Sequence, residues 1–148
     1  MDVKEKIALE TAKLNLSHCF SCGVCTGGCP VARLEPAFNP RRFLHEMKLG
    51  IESGDEIWYC VNCLTCQERC PTKVAVADFL NLLRQESILS KGAPAFVKAQ
   101  VESLKKCGFA ADLGNERDNK KREAQGLTPL QTTDEIATII AATGGDIQ

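Results

Sequence analysis

Large side chains are scarce in this sequence: aromatic residues make up 5% of its 148 positions, with one tryptophan and one tyrosine among them. The length suits one domain plus an extension. So little aromatic bulk leaves a thin core, and some linkage other than hydrophobic burial must help to hold it. Long apolar runs are missing as well. No segment approaches the roughly 20 apolar residues that span a bilayer, and the stretch from Met1 to Leu16, with Lys4, Glu5, Lys6, Glu10 and Lys13, does not resemble a signal peptide. Neither charge sign dominates. The formal net charge is −1, which gives no reason to expect nucleic acid or an anionic membrane as partner. No Gly-rich dinucleotide fingerprint occurs, so flavin or nicotinamide has to come from elsewhere. No constellation of nucleophile and base occurs either, and no catalytic residue is assigned. Strand-like alternation is absent throughout, which leaves an all-α chain. The expected compartment is the cytoplasm, where disulfides are rare and clustered cysteines usually bind metal.

What the sequence has in abundance is cysteine, nine residues of it. Eight fall in two runs that share one spacing, C-x2-C-x2-C-x3-C-P. The first is Cys19, Cys22, Cys25 and Cys29 followed by Pro30; the second, 41 residues on, is Cys60, Cys63, Cys66 and Cys70 followed by Pro71. This is the spacing of bacterial-type [4Fe–4S] ferredoxins. Three cysteines at x2 intervals let one tight loop wrap three corners of a cubane. The fourth, before proline, is steered outward to the other cluster, because proline restricts its predecessor to extended backbone. The expected ligand sets are therefore crossed. Cys19, Cys22, Cys25 and Cys70 hold one [4Fe–4S] cluster, and Cys60, Cys63, Cys66 and Cys29 hold the other. Zinc sites prefer two C-x2-C pairs separated by a loop, and disulfides would need an exported chain; neither suits this pattern. Cys107 has no second cysteine nearby and reads as a small buried residue. His18 and His45 read as packed or exposed rather than as ligands. Trp58 and Tyr59, just before Cys60, read as a shield for the second cluster.

Between the motifs, Asn39 and Pro40 signal a helix start and Gly50 its end, with Phe43, Leu44 and Met47 inward and Arg41, Arg42 and Lys48 outward. A helix is expected over 3–15, another over 74–89 carrying Val76, Phe79, Leu80, Leu83 and Ile88, and a third over 94–107 that stops at Gly108. The polar stretch 109–131 reads as an extended surface segment. A capping box from Thr132 to Glu135 opens a last helix that runs to about residue 142. The expected organisation is a di-cluster domain over 1–92 and a C-terminal extension over 93–148 that serves docking to other subunits.

With these features in place, the chain resembles the α-helical ferredoxins, in which helical segments separate two four-cysteine motifs. Among them it is most similar to the C subunits of heterodisulfide reductases. The resemblance rests on Cys19 to Pro30, Asn39-Pro40-Arg41, Ile57-Trp58-Tyr59-Cys60 and Cys66-Gln67-Glu68-Arg69-Cys70-Pro71. It implies an all-α fold with two [4Fe–4S] clusters between short helices, followed by a partly extended C-terminal segment ending in a helix. It also implies single-electron relay between two partner proteins. The donor would be the flavin- and iron–sulfur-containing A-type protein of such complexes. The acceptor would be their B-type protein with Cys-Cys-Gly repeats, where the coenzyme M–coenzyme B heterodisulfide or a related substrate is reduced. This chain has no adjacent cysteines, so it is not itself the Cys-Cys-Gly protein. The competing readings are a free-standing ferredoxin shuttle and an iron–sulfur subunit of another dehydrogenase or reductase.

Overall fold

The computed structural model describes residues 12–111 and 113–143, and every regular element among them is helical. The chain divides into two compact units, Met1–Ser90 and Lys91–Gln148. The first contains short helices α1 (Val24–Gly27) and α2 (Pro30–Leu34), the longer α3 (Pro40–Lys48), the short α4 (Thr65–Glu68) and the long α5 (Val76–Lys91). Single 3-10 turns at Leu16–His18 and Asp55–Tyr59 lead into the two cysteine runs. The helix expected over 3–15 lies outside the described residues, apart from its last four positions.

Helix α3 begins where the sequence signals it. Pro40 takes the first helical position, and the Asn39 side chain accepts the Arg42 N–H at 3.1 Å. Its inward face buries Phe43 and Leu44, with Met47 packed partly against the same core. Phe43 meets Phe38 edge-on, with ring centroids 5.4 Å apart. Helix α5 adds Val76, Ala77, Phe79, Leu80 and Leu82, and Leu14, Leu16, Ile57 and Val74 join the same core. Cys25, Cys29 and Cys66 belong to this same buried cluster. The thin core foreseen from the aromatic count is thus built around thiols.

The second unit holds α6 (Ala95–Cys107), α7 (Glu116–Ala124) and α8 (Glu135–Thr143). Helix α6 stops at Gly108, which is left-handed at φ 81° and donates its N–H to Leu104 O. Here the structure departs from the sequence reading: 109–131 is not extended throughout, because α7 lies inside it. This helix buries none of its residues, so no apolar stripe announces it. Local polar chemistry holds it instead. Asn115 accepts the Asp118 N–H at 2.9 Å, and Lys120 pairs with Glu116 at 2.6 Å. The Asn119 side chain binds both the N–H and the carbonyl of Leu130, which folds the following stretch back onto the helix. At α8 the hydroxyl that accepts the Glu135 N–H belongs to Thr133, at 3.2 Å, one residue beyond the expected Thr132.

Candidate metal centres

The two cysteine runs fold into the same loop. Ser21 and Gly23 are left-handed at φ 65° and 80°, and their counterparts 41 positions on, Asn62 and Leu64, are left-handed at 53° and 60°. In each, the residue at the second of these positions starts a single helical turn. Gly27 N–H reaches Gly23 O at 2.9 Å, and Glu68 N–H reaches Leu64 O at 3.0 Å. The loop is therefore specified by cysteine spacing more than by glycine, since Leu64 adopts a conformation that disfavours any residue with a Cβ.

The loops are anchored alike. After the third cysteine of the first run comes Thr26, whose hydroxyl donates to Asn39 Oδ1 at 2.8 Å and accepts the Arg41 N–H at 3.2 Å, at the start of α3. The residue at the same place in the second run is Gln67. Its Oε1 accepts the Ala77 and Asp78 N–H groups at 3.2 and 3.4 Å, at the start of α5. Each loop thus satisfies orphan amides of the long helix that follows it. The leading cysteines are tethered too. Lys48 Nζ donates to Cys19 O at 3.2 Å. The Arg84 guanidinium donates to the carbonyls of Ile57 (3.1 Å), Trp58 (3.3 Å) and Cys60. Arg84 also lies 5.5 Å from the Trp58 ring centroid.

These loops enclose two cavities. One is lined by Cys19, Cys22, Cys25 and Cys70, with Phe20, Val24, Arg41 and Thr72 among its other walls. The other is lined by Cys29, Cys60, Cys63 and Cys66, with Phe38, Val61, Leu64 and Leu80. Each cavity has three cysteines of one run and the last cysteine of the other. Cys107 lines neither; it is buried in the second unit, where its thiol donates to Ser103 O at 3.1 Å. Trp58 and Tyr59 are also absent from the second cavity's wall. Trp58 packs against the core beneath Arg84 and Tyr59 is exposed, so the expected shield is instead Val61 and Leu64. His18 is exposed, and His45 lies 2.6 Å from the hydroxyl of Ser21, which falls between the first and second cysteines of its loop.

The thiols differ in their surroundings. Burial pushes Cys66 up to about 12, reinforced by charge on Cys60, Cys25 and Cys29, and burial likewise raises Cys25. At Cys70 burial acts upward, but the Thr72 hydroxyl and the Val74, Thr72 and Lys73 amides outweigh it and leave the thiol below its ordinary value. Hydrogen bonding with Thr65 lowers Cys63. Helices α1 and α4, which carry Cys25 and Cys66, pack against each other, so the walls of the two cavities are neighbours.

The donor set fits a pair of iron–sulfur clusters. Every polar donor common to both cavities is a thiol, the rest of each wall is mostly apolar, and backbone N–H groups already address two of the sulfurs, Asn62 to Cys60 at 3.4 Å and Val74 to Cys70 at 3.3 Å. Among the described residues, no group of three or more His, Cys, Asp or Glu is gathered to hold a single metal ion. Arg84, Gln67, Thr26 and Arg41 were not legible as site residues. The signal for Arg84 is its place one helical turn after Leu80, a lone cation on the apolar face of α5.

Helices wrapped around two such cysteine-lined cavities define an all-α iron–sulfur protein. The family model for a 4Fe-4S dicluster domain matches residues 15–74, and the cofactors are two [4Fe–4S] clusters. The chain is 35% identical over 128 residues to the C subunit of the ferredoxin:CoB-CoM heterodisulfide reductase of Methanosarcina mazei, covering 84% of this chain and 78% of that one. Against the C subunit of the H(2):CoB-CoM heterodisulfide,ferredoxin reductase of Methanothermobacter thermautotrophicus it is 33% identical over 144 residues, covering 89% and 77%. Against the iron-sulfur C 2 subunit of the CoB--CoM heterodisulfide reductase of Methanocaldococcus jannaschii it is 40% identical over 106 residues, covering 69% and 56%. The chain belongs to the family of heterodisulfide reductase C subunits. It is an iron–sulfur protein of electron transfer and one component of an oxidoreductase complex. Among the described residues, no helix is long and apolar enough to cross a membrane.

Proposed function

We propose that this chain is the relay component of a cytoplasmic heterodisulfide reductase-type complex. In this reading it takes single electrons from a flavin- and iron–sulfur-containing A-type protein. It passes them to a Cys-Cys-Gly B-type protein that reduces the coenzyme M–coenzyme B heterodisulfide or a related substrate. Each cluster, when bound, supplies one-electron chemistry at a potential within the roughly −700 to +450 mV open to such centres. The chain's own residues hold the two centres side by side. Cys19, Cys22, Cys25 and Cys70 are the ligands of the first, and Cys60, Cys63, Cys66 and Cys29 those of the second. The observation that carries this reading is the composition of the two cavity walls, each with a complete set of four thiols drawn from both runs.

Residues 93–148 are the docking extension of a cluster domain over 1–92. Its exposed Leu113, Leu127 and Ile139 support that use, as do the names of the relatives, all subunits of reductases. The test is anaerobic isolation of the tagged chain from its native host. Co-isolation of a flavoprotein and a Cys-Cys-Gly protein is expected; recovery of this chain alone would overturn the complex. For the ligands, Cys70→Ala is expected to abolish the paramagnetic signal of the centre held by Cys19, Cys22 and Cys25, despite their separation in sequence. Loss of the other signal would reverse the allocation.

A further inference from the structure

The two centres are built from equivalent parts, so a difference between them stands out. Each leading cysteine has a cation on its carbonyl, Lys48 on Cys19 and Arg84 on Cys60. Each cavity has one threonine hydroxyl at a wall sulfur, Thr72 at 3.6 Å from Cys70 and Thr65 at 3.5 Å from Cys63. Arg69 lies against Gly28, and the two residues directly precede Cys70 and Cys29, one wall cysteine of each cavity. Each of these features has a counterpart at the other centre.

Arg41 has no such counterpart. It forms part of the first cavity's wall, and its Nη1 reaches the Ser21 carbonyl at 3.5 Å. The same nitrogen is 3.5 Å from where a Cβ on Gly23 would stand. The guanidinium therefore lies along the backbone on both sides of Cys22. Among the described residues it has no carboxylate partner within ion-pair distance. The second cavity has no counterpart: apart from its cysteines, its lining residues are Val31, Phe38, Pro40, Val61, Leu64, Ala77 and Leu80. The carboxylate of Asp78 adds to the contrast, because it accepts from Gln67, the neighbour of Cys66, at 3.1 Å.

We propose that Arg41 makes the first centre the more easily reduced of the two, so that one electron delivered to the chain comes to rest there rather than at the second. Reduction adds negative charge to a centre already enclosed by four thiolates, and a fixed cation in the wall favours the reduced form. Arginine stays protonated at any working pH, so the bias is permanent. Electrons then move downhill from the second centre to the first. Arg41 is a positioning residue for the electron, with no contact to any substrate. The inference rests on the cavity allocation above and adds a direction to it.

The test is a redox titration of the anaerobically loaded full-length chain, poised with dithionite and mediators and followed by electron paramagnetic resonance. Cys22→Ser marks which signal belongs to the first centre. In the unmodified chain the marked signal is expected to develop at the higher potential. In Arg41→Gln the reduced-to-oxidised ratio of that centre at fixed potential should fall about tenfold, about 59 mV for one electron, while the other signal stays in place. Arg41→Lys should keep most of the original value. The inference is overturned if the marked signal is the lower one in the unmodified chain. It is equally overturned if Arg41→Gln leaves that signal unmoved, or if Arg41→Lys falls as far as Arg41→Gln. Should Arg41→Gln not load, the order in the unmodified chain and the lysine variant decide. Cys70→Ala keeps the two ideas apart: removal of the unmarked signal would sink the crossed ligands, while the Arg41 result, referred to Cys22, would stand.

Discussion

At the scale of single residues, the two loops solve one backbone problem with different side chains. The left-handed position that opens α1 is Gly23, and the one that opens α4 is Leu64. Replacing Gly23 by alanine should therefore cost about 1–2 kcal/mol, read as a lower Tm of the loaded protein. A Tm unchanged from that of the parent would show that the loop relaxes out of this conformation. The cysteines themselves were legible because ligand chemistry fixes their spacing, whatever the rest of the chain does. Leu64 was not, since nothing about leucine announces a left-handed conformation. Gln67 was equally silent: its amide caps a helix that starts nine positions later, and such a contact exists only after the chain has folded.

At the scale of elements, legibility followed the source of stability. Helices α3, α5 and α6 carry apolar positions at helical spacing between clear start and stop signals, and they were readable within about two residues. The single-turn helices α1 and α4 have four residues each, too few to display any period. Helix α7 was missed for another reason. It is polar on every side, and its evidence lay in Asn115, acidic residues in the first turn and Lys121 and Arg122 in the last. A helix held this way depends heavily on its cap. Asn115→Ala should destabilise it by about 1 kcal/mol, detected as faster amide hydrogen exchange over 118–124. Unchanged exchange there would mean that the Asn119 bonds to Leu130 suffice.

At the scale of the whole molecule, the sparse aromatic content and the rich cysteine content are two sides of one arrangement. Three of the thiols that line the cavities sit within the hydrophobic core of the first unit, so in the proposed allocation metal and core are inseparable there. Stripping iron with a chelator should remove helical signal from the circular dichroism spectrum along with the visible absorbance, because folding and metal binding are coupled. A metal-free chain with the full helical spectrum would refute that coupling. The all-helical class was legible from composition and period alone. The thiols lining each cavity are those the motif grouped, but the remaining walls were not legible, since which side chains face the loops is a property of tertiary packing. That arrangement also constrains how the protein is made. During synthesis the first run is made 41 residues ahead of the second, and until residue 70 is added the cavity it begins has only three of its four thiols. The second cavity has all four of its thiols once Cys66 has been added, so in the proposed allocation a product ending between Cys66 and Cys70 could close the second centre while the first stays one thiol short.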